Sequence, residues 1–168
     1  MSRHGLMLAT LIVAVAGCGK TAEEIEPAPA DFGPEQSCAI DGMLLAFHDG
    51  PKSQVLGADG TRSFFCDTKE VFEICLDPAR RRRIGWVWFQ TIDPNGQVRS
   101  GGWEVPESLF FVVGSDYMGA MGPMLAPFPT VAEATDFTSA HGGRILRFGD
   151  IDAALLEEVR QQGMTHLE

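Results

Sequence analysis

A chain of 168 residues has room for one domain of ordinary size, or for two small lobes sharing a core, and is too short for a large multidomain enzyme. Its 13 basic and 23 acidic side chains give a formal charge of −10, which argues against nucleic acid as a partner.

The first predicted element is an N-terminal leader. Arg3 and His4 precede an apolar run of 11 residues, Leu6 to Ala16. A bilayer span needs about 20 residues, so the run suits the hydrophobic region of a signal peptide instead. Val15-Ala16-Gly17-Cys18 resembles a bacterial lipobox, so residues 1–17 are expected to be cleaved as a lipoprotein signal peptide and Cys18 to carry lipid. Gly19, rather than an aspartate, follows the cysteine, which favours the outer membrane and a periplasm-facing domain. Without residues 1–17 the chain keeps 12 basic and 23 acidic side chains, a net −11. Residues 18–35 are rich in Glu, Pro and Ala without apolar periodicity and are expected to form a flexible tether. The folded domain is then 36–168.

With Cys18 assigned to lipid, Cys38, Cys66 and Cys75 remain. An odd count in an oxidising compartment leaves at least one thiol outside any intramolecular disulfide, and burial, a metal or a reaction must explain it. The stretch Ser37 to Gly50 places a cysteine, an aspartate, a methionine and a histidine within the span Cys38 to His48. It reads either as a metal-handling loop or as the approach to a core strand.

Val55-Leu56 and Ser63-Phe64-Phe65, on either side of Asp59-Gly60, read as a hairpin. Cys66 to Leu76 carries Val71, Phe72, Cys75 and Leu76 at helical spacing and stops at Asp77-Pro78. Cys66 would open this helix, where the positive dipole end lowers a thiol pKa, whereas Cys75 lies in the apolar row and reads as core. Arg80 to Arg83 reads as a solvated loop, or as a docking patch for a partner or anionic lipid. Ile84 to Ile92 is a buried strand closed by Asp93-Pro94-Asn95-Gly96.

In the second half, Val98 to Val105 and Leu109 to Val113 read as strands, Thr130 to Ala140 as a helix, and Arg144 to Phe148 as a strand. The order strand, strand, helix, strand thus occurs twice, which predicts an α+β fold of two similar ββαβ lobes, about 36–94 and 95–168, in one compact domain. A last helix over Ile151 to Gln162 would pack Leu155, Leu156 and Val159 on that domain.

No nucleotide-binding loop, nucleophile elbow, His-Glu-x-x-His or Cys-x-x-Cys pattern occurs, so the chain is not expected to be an enzyme. The chemistry available is that of soft ligands. Met118, Met121 and Met124 recur at intervals of three, and Gly119, Gly122 and Pro123 keep them out of a regular helix. Thiolate and thioether sulfur prefer Cu(I), although methionines equally fill core gaps. His141, at a helix end, reads as structural, and His48 as a weaker candidate ligand.

The motifs Gly42-Met43, His48-Asp49-Gly50-Pro51-Lys52-Ser53-Gln54, Phe64-Phe65-Cys66, Val112-Val113-Gly114-Ser115, Gly119-Ala120-Met121-Gly122 and His141-Gly142-Gly143-Arg144-Ile145-Leu146 occur in this order. Together they resemble the NosL family. The resemblance implies a lipid-anchored Cu(I) metallochaperone of paired ββαβ lobes, serving the copper sites of nitrous oxide reductase with an ABC-type assembly complex. For such a protein the expected ligands in this chain are Met43 and Met121 as thioethers and Cys38 as thiolate, with Cys66 in reserve and His48 and Met124 as weaker candidates. This chain departs from the family in one place: Asp41-Gly42-Met43 stands where the family usually has Cys-x-Met, and a carboxylate is a poor ligand for Cu(I). Three alternatives follow. Cys38, Asp41, His48 and Cys66 would suit Zn(II); a metal-free scaffold would only dock partners; and an organomercurial-lyase-like enzyme would use Cys38, Asp41 and Cys66.

Overall fold

The computed structural model describes residues 26–165. The expected signal peptide, the expected lipid attachment at Cys18 and the first part of the expected tether lie outside these residues. Strands β1 (Ser53–Gly57) and β2 (Arg62–Phe65) form the expected hairpin. Helix α1 (Thr68–Leu76) follows, then a single turn α2 (Pro78–Arg81) and strand β3 (Ile84–Ile92). The chain continues through β4 (Val98–Glu104), β5 (Phe110–Val113), the short pair β6 (Met118–Gly119) and β7 (Gly122–Pro123), and β8 (Ala126–Phe128). Helix α3 (Val131–His141), β9 (Arg144–Arg147) and α4 (Ala153–Thr165) complete it.

Two antiparallel sheets carry the fold, ordered β2-β1-β3-β4 and β8-β5-β9. In each, the first strand of a ββαβ unit is central, its second lies on one side and its third on the other, so the predicted α+β repeat is present. Its membership differs from the reading of the sequence. Strand β4, expected to open the second lobe, pairs with β3 and extends the first sheet, and the second lobe takes its second strand from Ala126–Phe128. That strand is short and contains Pro127, so it shows no period-2 pattern to find.

Alternation on β1 to β3 sends Phe65, Val55, Val87 and Phe89 to one face and Phe64 and Trp88 to the other. The first face meets α1, α4 and the second sheet in a shared core. Phe72 of α1 is its centre, with ring centroids 5.3 Å from Phe89, 5.0 Å from Phe111 and 5.1 Å from Phe148. The far face of the second sheet is covered by Ala134 and Phe137 of α3.

Among the described residues no α-helix covers the far face of the first sheet. Residues 30–45 cover it, with Phe32, Cys38 and Leu45 against Phe64, Trp88 and Trp103. Part of the expected tether therefore packs on the domain. The fully buried Gln54 side chain binds the Ala30 backbone in both directions at 3.0 Å, and the Trp103 indole donates to Asp31 at 3.0 Å. Phe32, the one aromatic residue in a Pro- and Glu-rich stretch, supplies the apolar contact at 5.9 Å from Phe64.

Because Phe72 touches both sheets, Phe72→Ala is expected to cost about 3–5 kcal/mol while leaving one unfolding transition. Urea titration followed by tryptophan fluorescence and by far-UV dichroism checks this; two separated transitions would mean that the lobes do not share a core.

Candidate metal centre

The site is built where the segment covering the first sheet meets the start of α1. Ser37 and Leu44 form an isolated antiparallel bridge, and between them the Cys38 amide donates to the Met43 carbonyl at 2.8 Å. Gly42, at φ +77°, lets the loop turn back so that its amide reaches the Cys38 carbonyl at 3.0 Å. Asp41 closes the turn by accepting from the Met43 amide at 2.9 Å. The Ala39 amide donates to the Phe64 carbonyl at 2.8 Å, which pins the loop to the end of β2.

From the other side, Asp67 caps α1 by accepting from the Lys69 amide, and Glu70 reaches back to accept from the Asp67 amide at 3.2 Å. The same Glu70 carboxylate receives both thiols. Cys38 Sγ lies 3.4 Å from each of its oxygens and Cys66 Sγ 3.5 Å from Oε2. Cys66 Sγ is also 3.8 Å from Asp41 Oδ2. One ligating atom each from Cys38, Asp41, Cys66 and Glu70 thus falls within 4.8 Å of all the others. Both thiols are buried, Cys66 completely and Cys38 to 3 % exposure, whereas Asp41 is at the surface. With metal–sulfur bonds of about 2.3 Å, one ion reaches both sulfurs with little movement.

The electrostatics differ between the two thiols. Burial raises the Cys38 pKa, opposed by the amides of Asp41, Ile40 and Cys66, which favour a thiolate there. Cys66 is pushed far above the ordinary thiol range by burial, then by Glu70 and Cys38. The expectation that a helix N-terminus lowers its pKa is overturned: the cap is Asp67, so Cys66 precedes the helix, and acidic neighbours face its sulfur. Burial also raises Glu70, while the Met43 amide holds Asp41 below the usual carboxylate range.

The remaining candidates lie around this centre. Met43 is half-buried in the loop, tied by its backbone to Cys38 and Asp41. Met121 is 46 % exposed in the β6-β7 turn, where its carbonyl takes the Lys69 ammonium at 3.0 Å; its neighbour Ala120 packs on the cluster containing Cys38 and Cys66. Met124 is buried beneath that turn, so close that a Cβ on Gly119 would sit 3.0 Å from its sulfur. His48 lies outside the four-residue group, and its carbonyl receives the buried Lys52 ammonium at 2.7 Å. His141 pairs with Asp116 at 2.8 Å and stacks on Phe137, consistent with its structural reading. Cys75 is buried in the shared core, its thiol pushed up to about 11 by burial. Glu70 was missed from the sequence, although Asp67-x-x-Glu70 has the spacing of a capping box and Glu70 stands one helical turn beyond Cys66.

The NosL family model matches residues 29–156. The chain belongs to the NosL family. It is 34 % identical to the copper-binding lipoprotein NosL of Stutzerimonas stutzeri over 96 % of this chain and 88 % of that protein. To the copper-binding lipoprotein NosL of Achromobacter cycloclastes it is 31 % identical, over 76 % of this chain and 69 % of the relative. The crystal structure of the copper chaperone NosL from Shewanella denitrificans superposes with a TM-score of 0.70 at 27 % identity, covering 77 % of this chain and 99 % of that one. The resemblance carried by the ordered motifs is thus a family relationship, and the α+β architecture is that of a solved NosL structure. Among the described residues no helix is long and apolar enough to cross a membrane.

Raised thiol pKa values make a statement about stability. The folded state holds protons that the unfolded chain releases from about pH 9.0, so this contribution is complete below pH 9 and is lost as pH rises towards the folded values. Metal-free protein is expected to lose thermal stability above pH 9, with no thiolate ultraviolet absorbance below it. A Cys38→Ala, Cys66→Ala variant should lose less over the same range; a steeper loss would contradict the assignment.

Proposed function

We propose that this NosL-family chain is a lipid-anchored metallochaperone that carries Cu(I) between Cys38 and Cys66 and delivers it by ligand exchange. The observation that carries this reading is the pair of buried thiols within 4.8 Å of each other, in a chain whose relatives are named copper-binding lipoproteins. Two thiolates suit Cu(I), and loading expels their protons. Cys38, with three amides facing its sulfur, is the lead thiolate. Cys66 is promoted from reserve to full ligand: Asp41 occupies the usual cysteine position, and the Cys66 sulfur approaches that carboxylate from the β2 side. Met43 and Met121 supply thioethers from the loop and from the turn bordering the cluster. Glu70, between the sulfurs, accepts both thiol hydrogen bonds in the metal-free protein, and its charge opposes loss of the Cys66 proton.

In this reading Cys18 carries the lipid, the domain faces the periplasm, with the outer membrane favoured, and the receiver is the ABC-type assembly complex of nitrous oxide reductase. A second reading, Zn(II) held by Cys38, Cys66, Asp41 and Glu70, is favoured by the two carboxylates at the site. Cleavage of a carbon–mercury bond is disfavoured, because the Asp41 carboxyl is held ionised and makes a poor proton donor.

Anaerobic titration against a chromophoric Cu(I) chelator tests the proposal. Cys38→Ser and Cys66→Ser should each abolish competitive binding, and Met43→Leu or Met121→Leu should weaken it; retention of binding in the double cysteine variant would overturn the assignment. Glu70→Gln separates the two metals. It should tighten Cu(I), because the thiols then lose their protons more easily, and weaken Zn(II) about 10-fold or more through loss of a ligand oxygen.

A further inference from the structure

We propose that Cys38 and Cys66 form a reversible intramolecular disulfide that closes the metal centre to its cargo. The bond itself is independent of copper; only its consequence rests on the function proposed above. Two sulfurs within 4.8 Å must approach to about 2.05 Å. The backbones are already neighbours, since Ala39, next to Cys38, donates to Phe64, two residues before Cys66, and both sulfurs lie within 3.5 Å of the same Glu70 oxygen. The element that has to move is the loop 38–43, which turns on Gly42 and is exposed at residues 39–42. Cys66, at the junction of β2 and α1, stays fixed.

Cys75 is excluded from the exchange. It lies at the far end of α1, in the shared core, whereas Cys38 and Cys66 belong to the separate cluster on the opposite face of the first sheet. This accounts for the odd cysteine: one pair is redox-active, and the third thiol lies in a core cluster that holds no second cysteine.

The oxidant is a disulfide-bearing compound. The Cys38 sulfur attacks one of its sulfur atoms; a mixed disulfide forms, the original S–S bond breaks, and one thiol leaves with the Cys38 proton. Cys66 then attacks the Cys38 sulfur, forming the internal bond and releasing a second thiol with the Cys66 proton. The two cysteines together lose two electrons, and the oxidant gains two. Cys38 is the entry point because the residues beside it, 39–42, lie at the surface, whereas Cys66 is fully buried at the junction of β2 and α1. Once both sulfurs are joined, neither offers a thiolate to a metal, so a dithiol reductant must reset the centre before it can load.

The test uses the chain with Cys18→Ser, so that only Cys38, Cys66 and Cys75 carry thiols. Metal-free protein is equilibrated with oxidised glutathione, free thiols are alkylated, and intact mass and peptide maps are read. The expected result is one alkylated residue, Cys75, a cross-linked Cys38–Cys66 peptide, and full reversal by dithiothreitol. Cys66→Ser should trap glutathione on Cys38, and Cys75→Ser should leave the cross-link unchanged. Three alkylated cysteines, a stable glutathione adduct in the unmutated pair, or a bridge to Cys75 would overturn the proposal. Cu(I) titration of the same samples distinguishes the two readings. Oxidised protein should lose binding and recover it on reduction. If the reduced protein ignores Cu(I) while the disulfide forms, only the chaperone reading fails; if it binds Cu(I) and no disulfide forms, only this proposal fails.

Discussion

The site depends on one carboxylate serving two purposes. Glu70 terminates the free amides at the start of α1 by accepting from Asp67, and the same group accepts from Cys38 and Cys66. A capping box fixes the carboxylate of its third helical residue over the chain that enters the helix, and here that chain is the end of β2 with Cys66 on it. The position of the thiols is therefore tied to the helix start, and the helix is in turn anchored by Phe72 in the core of both lobes. Helix α1 holds one half of the centre, and the loop 38–43, pinned to the end of β2, supplies the other half.

That division follows from an asymmetry between the lobes. The second sheet hides its outer face under α3, a regular helix. The first sheet hides its outer face under residues 30–45, which contain an isolated bridge and a short 3-10 turn but no long element. An irregular cover satisfies its backbone through side chains, as Gln54 does for Ala30 and Asp41 for Met43. It can therefore bring a cysteine and an aspartate to a point that a helix of fixed pitch would miss.

The parts legible in the sequence were those with strong periodicity or joint motifs. The β1-β2 hairpin, α1, β3, α3 and α4 were read within a few residues, and the ordered motifs led to the NosL family. Strand β8 was missed because three residues with a central proline show no alternation, and β4 was given to the wrong sheet because pairing partners leave no local mark. The packing of Phe32 and Asp31 on the domain was hidden by a composition typical of linkers. At the site, Cys38 and Cys66 were both singled out, but not their adjacency, which depends on a contact between residues 39 and 64. The error on the Cys66 pKa has a definite cause: helix start and helix cap differ by a residue or two, and here the offset replaces a positive dipole end by two carboxylates.

The same carboxylates bear on how a carrier of this kind balances holding against release. A fully desolvated pair of thiolates with no acid nearby would bind Cu(I) tightly at neutral pH and give it up slowly. Here Glu70 and Asp41 raise the cost of deprotonating Cys66, so every loading event works against protons at the site. Cys38 is less penalised because three amides face its sulfur. The two proposed ligands are therefore unequal. In the proposed cycle the ion leaves Cys66 first, where the returning proton is held most firmly, and stays on Cys38 at the surface loop until an incoming ligand takes it. In the same proposal Asp41, a poor substitute for cysteine as a ligand, contributes by adding to the cost of the Cys66 thiolate.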